Sequence, residues 1–496
     1  MSKKSEETKS KILTHSPKKS NEGITAKKEE NFSEWFTQVV QKCELADLRC
    51  NTKGFLVFQP WSVLAMEKMY DYLEKILQKK GHKPYWFPTL IPESNLKKES
   101  AHLGGFTPEV FWVTQGGNKK FEEKLALRPT SETVIYPMFS IWIRSYNDLP
   151  FKTYQRAQIF RYETKATRPF LRSREFYWIE RHSAHATEQE AFNQVKEDMR
   201  TTEEFLGELL GIPFIFFERP EWDKFAGASR TFAADALNPD GKVMQQPSTH
   251  MISQDFSKAF DVKFKDKNGK EKLAWITCYG PAISRIFASL IITHGDDKGL
   301  KFPWEVAPLQ VIIIPIDEKV KEKAEKLKKE IEKLASVDID SSDKRPGEKF
   351  NYWEMKGVPI RIDLGLRDLQ KKKVTIFRRD LDKKMIVPEK EVIKEIEKIS
   401  KEFTKNLIKK ANQIFEGRIK ETKNVNEIKQ AIEEGLIARC HWCSVEKNGE
   451  KCAEVVEKKI GAEVKGTRLG EKIKSSGKCA ICGKPAKNIV YIAKSY

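Results

Sequence analysis

The chain has 496 residues, 32% of them charged and 39% hydrophobic, with a formal net charge of +19. That length suits about three domains, each with its own core. No apolar run approaches the ~20 residues of a membrane span and no secretory core opens the chain, so a membrane-embedded or exported protein is excluded and a cytoplasmic one expected.

The positive excess points to a polyanionic partner, for which RNA is the natural candidate, although lysine-rich solvated helices account for part of it. Residues 1–30 mix Lys, Glu and Ser with few apolar side chains and read as a disordered basic extension. Ordered patterning begins at Phe32. From Trp61 to Gln78, Leu64, Met69, Tyr72, Leu73, Ile76 and Leu77 recur at helical spacing, and Gly81 ends the helix. HKPYWFPTLIP, residues 82–92, reads as a strand entering a loop.

Between Arg128 and His182 the arginines Arg156, Arg161, Arg168, Arg172 and Arg174 alternate with Phe160, Phe170, Phe176, Tyr177 and Trp178. Guanidinium forks suit phosphate oxygens and aromatic faces suit a base. On a strand, Trp178, Glu180 and His182 share one face. Together these residues predict a floor that holds a nucleotide on one side and a small polar substrate on the other. Residues 188–210 read as an amphipathic helix, Ile212 to Phe217 as a strand, and Trp275 to Ile292 as strand, turn and helix. At Glu305 the pattern changes. VAPLQVIIIPI is a buried parallel-type strand, followed by a charged helix and the strand VTIFRR, which is the alternation of a small α/β domain. Lysine-rich helical sequence continues to about residue 435. Five of the eight cysteines follow, Cys440, Cys443, Cys452, Cys479 and Cys482. Thiolates at this spacing suit a closed tetrahedral zinc site. Spacing alone would choose the pairs 440/443 and 479/482.

Phe160-Arg-Tyr-Glu163, followed by Arg172 and Phe176, resembles motif 2 of class II aminoacyl-tRNA synthetases. With Arg128-Pro-Thr-Ser-Glu132 upstream and Trp178-Ile-Glu-Arg-His182 downstream, the wording resembles the prolyl-tRNA synthetase family of the archaeal/eukaryotic type, over residues 31 to 496. The resemblance implies an antiparallel catalytic sheet flanked by helices over 31–302, an α/β anticodon-binding domain over 303–405 and a zinc-binding domain over 406–496. It also implies L-proline, ATP, Mg²⁺ and tRNA(Pro) as ligands. Residues 61–92 are similar to motif 1, the dimer-forming element, with Pro88 as its proline, so a homodimer is expected.

By resemblance, Arg161 holds the α-phosphate and the proline carboxylate, with Glu163 on the adenine side. Arg172 reaches the outer phosphates and Phe176 stacks on adenine. Thr277-Cys-Tyr-Gly-Pro-Ala-Ile-Ser-Arg285 resembles motif 3, one residue longer than the usual wording, with Arg285 on the γ-phosphate. Thr130 and Glu132 accept the two donors of the proline ammonium, while Trp178, Glu180 and His182 form the ring pocket. Gln245-Gln-Pro-Ser248-Thr-His250 spans ATP and proline, and Cys278 lies at the pocket wall, where a buried apolar role is the plainer reading. The stretch between His182 and Gln245 is too short for the editing insertion of bacterial-type enzymes. In Lys356-Gly-Val-Pro-Ile-Arg361-Ile-Asp363-Leu-Gly-Leu-Arg367-Asp, Asp363 and Arg367 are the expected anticodon contacts. For zinc the resemblance takes Cys443, Cys452, Cys479 and Cys482 and leaves Cys440 spare. The terminal Tyr496 matches a family tyrosine near the active site. The rival from another class is a non-catalytic RNA-binding or scaffold paralogue. Arg161, Arg285, Glu132 and His182 stand against it, because a decoy is free to lose them.

Overall fold

The computed structural model describes residues 23–50, 52–103, 109–471 and 477–496. The extension expected over residues 1–30 lies mostly outside them, and its described part corrects the expectation. Ile24 and Ala26 pack on the main core, and Lys28 Nζ donates to the Gly295 carbonyl at 2.7 Å. Two apolar side chains and a lysine stem suffice to seat residues 23–30.

The catalytic region opens with α1 (Phe32–Lys42), capped by the Asn31 side chain, and α2 (Pro60–Lys79), with proline in its first turn. Gly81 ends α2 at φ +84°, and β1 (Lys83–Pro84) follows. Next come α3 (Glu132–Trp142), β2 (Phe151–Phe160), β3 (Glu175–His185) and α4 (Glu188–Thr202). A Thr187/Glu190 capping box starts α4, which runs into a π-helical turn at Glu203–Leu209 rather than a plain helix to 210. Then come β4 (Ile215–Glu218), β5 (Arg230–Leu237), β6 (Lys242–Ser253), β7 (Trp275–Gly280) and α5 (Ile283–His294).

The α/β domain supplies β8 (Val311–Pro315), β9 (Val337–Ile339), β10 (Ile360–Leu364), β11 (Lys373–Arg378) and β12 (Lys383–Pro388) in the order β9-β8-β10-β11-β12. The first three are parallel, and every residue of β8 is buried, as its unbroken apolar run requires. Helix α6 (Val392–Glu416) follows, so the boundary expected between 405 and 406 falls inside a helix. Its even amphipathic pattern offers no break there.

The last strands are β13 (Ile419–Glu421), β14 (Ile437–Trp442), β15 (Glu463–Arg468) and β16 (Asn488–Ser495). They extend the catalytic sheet, giving the order β13-β14-β16-β15-β4-β5-β6-β7-β3-β2-β1. From β4 to β2 the pairing is antiparallel, as expected of the catalytic sheet. The join is β15 on β4, where Gly466 is obligatory: a Cβ there would stand 2.0 Å from the Glu218 carbonyl oxygen. None of the described helices is long and apolar enough to cross a membrane.

The HGDDKGL segment after α5 is the clasp between catalytic and α/β domains. Arg379, fully buried, donates to both Asp296 oxygens at 2.6 and 2.9 Å and to Asp382 at 2.7 Å. Lys301 lies 2.9 Å from Asp296 and 2.8 Å from Asp382. Burial works against the Asp296 anion, but Arg379 and Lys301 outweigh it and hold its pKa far below the usual 3.8. The clasp's contribution is therefore present above the unfolded value of 3.8 and is lost progressively as pH falls from there through the much lower value of the folded protein. Asp296→Asn leaves Arg379 short of a counter-charge and should cost about 3 kcal/mol. Thermal unfolding of the variant at neutral pH checks this, and an unchanged midpoint would refute the clasp.

Candidate functional site

The period of β3 builds the site. Trp178, Glu180 and His182 face a cavity of about 310 Å³, while Arg181 and Ser183 face α4 on the other side of the sheet. The same cavity is lined by Thr130 and Glu132 from the start of α3, by Gln245, Ser248 and His250 from β6, and by Cys278 from β7. Arg161, Phe176 and Arg285 complete its outer half. A cavity of this size, polar at chosen points, suits a small ligand.

The deep end is acidic. Glu180 accepts from the Ser131 amide at 2.9 Å, from Gln155 at 3.1 Å and from His182 Nε2 at 3.0 Å. Burial disfavours its anion, but the His182 and Ser131 bonds overcome that and lower its pKa. Glu132 hydrogen-bonds to Thr130 Oγ1, and burial followed by the Glu180 charge raises its pKa above the usual 4.5. Two buried carboxyl groups side by side are a site short of a cation. His182 Nδ1 is tied to the Tyr136 hydroxyl at 2.9 Å. Trp178 lies against Gly280, where a Cβ would stand 3.0 Å from the ring, and its buried indole N–H has no partner among the described residues.

The outer end is basic. The Arg161 guanidinium lies over the Phe176 ring, 5.3 Å from its centroid, and Nε donates to the Pro129 carbonyl at 3.0 Å. Burial, then the Arg161 and Arg172 charges, press the Arg285 pKa down to about 10. It stays charged at neutral pH, so three guanidinium groups converge, a site short of an anion. Arg172 Nη2 donates to the Tyr496 backbone oxygen at 2.6 Å, and its Nε is 3.9 Å from Glu163. Tyr496 is thus seated rather than frayed, with its amide bound to the Val243 carbonyl.

Ser248 Oγ meets His250 Nε2 at 2.9 Å, while Thr249 turns behind the sheet to Asp198 at 2.7 Å. Burial first, then Arg219, pushes His250 down to about 3, so it is neutral at physiological pH. Cys278 is 7% exposed at the wall, and burial raises its thiol pKa well above the usual 9.0.

Other expected members of the nucleotide floor lie elsewhere. Arg156 is bound to Glu67 and Glu74 on the α2 side, and Arg174 covers Tyr162. Arg168 lies over Phe32, Phe36 and Tyr496, and Phe170 is core. The sequence density of arginine and aromatic groups thus overstated the floor, because strand alternation turns Arg156 to the α2 side and Arg168, Phe170 and Arg174 lie in the loop between β2 and β3, which carries them away from the cavity. Asp363 is 4% exposed and its carboxylate is forked by Arg361 at 2.8 and 3.3 Å. It is not an open acceptor, whereas Arg367 is exposed.

Two residues went unnoticed in the sequence. Tyr136 lies four positions after Glu132, one helical turn along the same face, a signal that was available. Arg219 donates to both Asp235 oxygens at 2.9 and 2.8 Å, to the Lys465 carbonyl at 2.9 Å and to Gln245 Oε1 at 3.3 Å. Arginine only donates, so it fixes the Gln245 amide with its N–H groups toward the cavity. Nothing local in the sequence marks that long-range contact.

Cys443, Cys452, Cys479 and Cys482 bring their sulfurs within 4.8 Å of one another. Cys443 and Cys452 are 3.8 Å apart, matching the edge of about 3.8 Å for a tetrahedron with 2.3 Å Zn–S bonds. Cys440 lies in the hydrophobic core of this domain, outside that group. The 440/443 pairing suggested by spacing is therefore not formed.

Residues 111–294 match the family model "tRNA synthetase class II core domain (G, H, P, S and T)", and residues 310–399 match "Anticodon binding domain". Fold and site together are those of a class II aminoacyl-tRNA synthetase. Residues 425–496 match "Prolyl-tRNA synthetase, C-terminal". The chain is 48% identical to "Proline--tRNA ligase" of Thermofilum pendens, over 96% of this chain and all of that one. It is 37% identical to that of Pyrococcus abyssi, over 94% of this chain and 98% of that one. The structure of Giardia lamblia prolyl-tRNA synthetase in complex with prolyl-adenylate matches with a TM-score of 0.92 at 35% identity, covering 96% of this chain and 100% of that one. That of Cryptosporidium parvum, complexed with halofuginone and AMPPNP, matches at 0.91 and 33%, covering 96% and 99%. The chain belongs to the prolyl-tRNA synthetase family.

Proposed function

We propose that this chain activates L-proline with ATP and transfers the prolyl group to the 3′ end of tRNA(Pro), with the residues acting as follows. The observation that carries the assignment of roles is the charge division of one cavity, acidic within and basic without. Proline enters with its ammonium toward Thr130 and Glu132 and its ring beside Trp178, Glu180 and His182, between the walls of His250 and Cys278. Its carboxylate then lies toward Arg161, which also reaches the α-phosphate. Phe176 takes the adenine face, with Glu163 at its edge. Arg172 and Arg285 hold the outer phosphates, and Gln245 and Ser248 bridge the two ligands.

A carboxylate oxygen attacks the α-phosphorus, the bond to the β-phosphate oxygen breaks, and pyrophosphate leaves. A ribose hydroxyl of the terminal adenosine next attacks the prolyl carbonyl and AMP leaves. No protein nucleophile is needed. Orientation and guanidinium charge lower both barriers, because they are fixed before the reaction begins. Arg219 supports this by orienting Gln245. Mg²⁺ is expected on the ATP phosphate oxygens, but the described residues build no carboxylate cage for it, so no step is assigned to it.

The four cysteines fit structural zinc by donor type and spacing. Arg367, exposed on the α/β domain, and the net charge of +19 suit tRNA contact, whereas Asp363 would read a base only with lone pairs left over from Arg361. Trp86, 92% exposed in the motif 1 loop, suits a homodimer interface. Free thiols throughout suit the cytoplasm. The non-catalytic alternative leaves both charge clusters without a purpose.

Amino-acid-dependent ATP–pyrophosphate exchange should be driven chiefly by proline, and Arg161→Ala should reduce kcat/KM by about 100-fold or more. Absence of exchange with proline from folded protein would overturn the reading. The raised Glu132 pKa means a proton must leave as the proline ammonium arrives. The KM for proline should therefore fall as pH rises above 4.5, by up to about tenfold per unit until Glu132 is ionised. A flat profile on the acid side would count against Glu132 as the ammonium acceptor. Native mass spectrometry should find two chains carrying two zinc ions. A monomer or a metal-free chain would remove the corresponding assignment.

A further inference from the structure

At the deep end of the pocket, Glu132, His182 and Cys278 place a carboxylate oxygen, a ring nitrogen and a thiol within 4.8 Å of one another. They come from α3, β3 and β7, and His182 and Cys278 are directly opposed across the sheet. All three are buried and all three line the cavity. The Tyr136 hydroxyl holds His182 Nδ1 at 2.9 Å, and Nε2 faces Glu180 Oε1 at 3.0 Å, a hydrogen bond that a metal on Nε2 would replace. Fixing one imidazole nitrogen by a hydrogen bond is how proteins present the other to a metal.

We propose that this trio is a second metal site, selective for zinc-type cations, which occupies the place of the proline ammonium so that metal and proline exclude one another. The inference rests on the proline reading of the pocket. One nitrogen, one oxygen and one sulfur donor suit zinc, and the cavity leaves the fourth position open. Binding releases the Glu132 carboxyl proton and the Cys278 thiol proton to solvent, and the His182 proton passes from Nε2 to Nδ1, where the Tyr136 oxygen accepts it. The Cys278 thiolate and the Glu132 carboxylate then match the two positive charges, and the neighbouring Glu180 carboxylate adds a negative charge that further favours a cation. Mg²⁺ is excluded, because it demands oxygen donors in octahedral array. Zinc bond lengths set the donors about 3.5 Å apart, so the trio closes by about 1 Å on binding. Because the arginine end is untouched, the metal competes with proline and not with ATP.

The test uses full-length protein with its four-cysteine site filled with zinc, titrated with Co²⁺ in equilibrium dialysis and near-ultraviolet absorption. The expected result is one further metal per chain, with a thiolate charge-transfer band that disappears in saturating L-proline. Cys278→Ser should lose this second equivalent and keep the first, and Tyr136→Phe should weaken it about 10–100-fold. If Cys278→Ser does not fold, the proline competition in the native protein decides alone. Calorimetry with proline on the same sample separates the two readings. Proline binding without a second Co²⁺, or with one that proline fails to displace, overturns the metal site. Absence of proline binding removes the pocket assignment and the metal site with it.

Discussion

Arg181 lies between Glu180 and His182 in sequence and on the opposite face of the sheet in space. It is wholly buried, paired with Asp198 of α4, and donates to Thr277 and Ser183. Asp198 in turn accepts from Thr249 on β6. One buried ion pair therefore pins β3, β6 and β7 to α4, and those strands carry Glu180, His182, Ser248, His250 and Cys278 on their other face. A buried pair of this kind is costly to desolvate and weak as a source of stability. Its effect here is register: a slip of one residue on β3 would bring Arg181 into the pocket and send Glu180 behind the sheet.

The pocket in front of that pin is electrically polarised. Carboxyl groups crowd the inner end and guanidinium groups the outer end, and a ligand with an ammonium at one end and phosphates at the other answers both. This explains why the site needs no acid–base residue of its own. His250 is neutral and His182 is tied on both nitrogens, so neither histidine is free to shuttle protons.

How much could be read in advance depended on the range of each interaction. The face shared by Trp178, Glu180 and His182 follows from strand periodicity, and the structure places all three on the cavity. The α/β domain followed from the unbroken apolar run of β8. Arg156, Arg168 and Arg174 were misassigned because local density says nothing about which side of a sheet a strand residue takes or where the loop between β2 and β3 folds. Arg219 was invisible, since its partners Asp235, Gln245 and Lys465 are joined to it only by folding. Asp363 illustrates the same limit: its neighbour Arg361, two positions away on the same strand face, closes over it.

The pairing of β15 on β4 carries a consequence for how such a protein can be divided. The apparent modularity of the chain stops at that seam, because β4 owes its outer hydrogen bonds to a strand more than two hundred residues later. A fragment cut after the α/β domain would present β4 as a bare sheet margin, ready to recruit any extended segment, including another copy of itself. Solubility of the catalytic half is thus a property of the whole chain, and the cysteine-bearing tail acts as its lid against self-association.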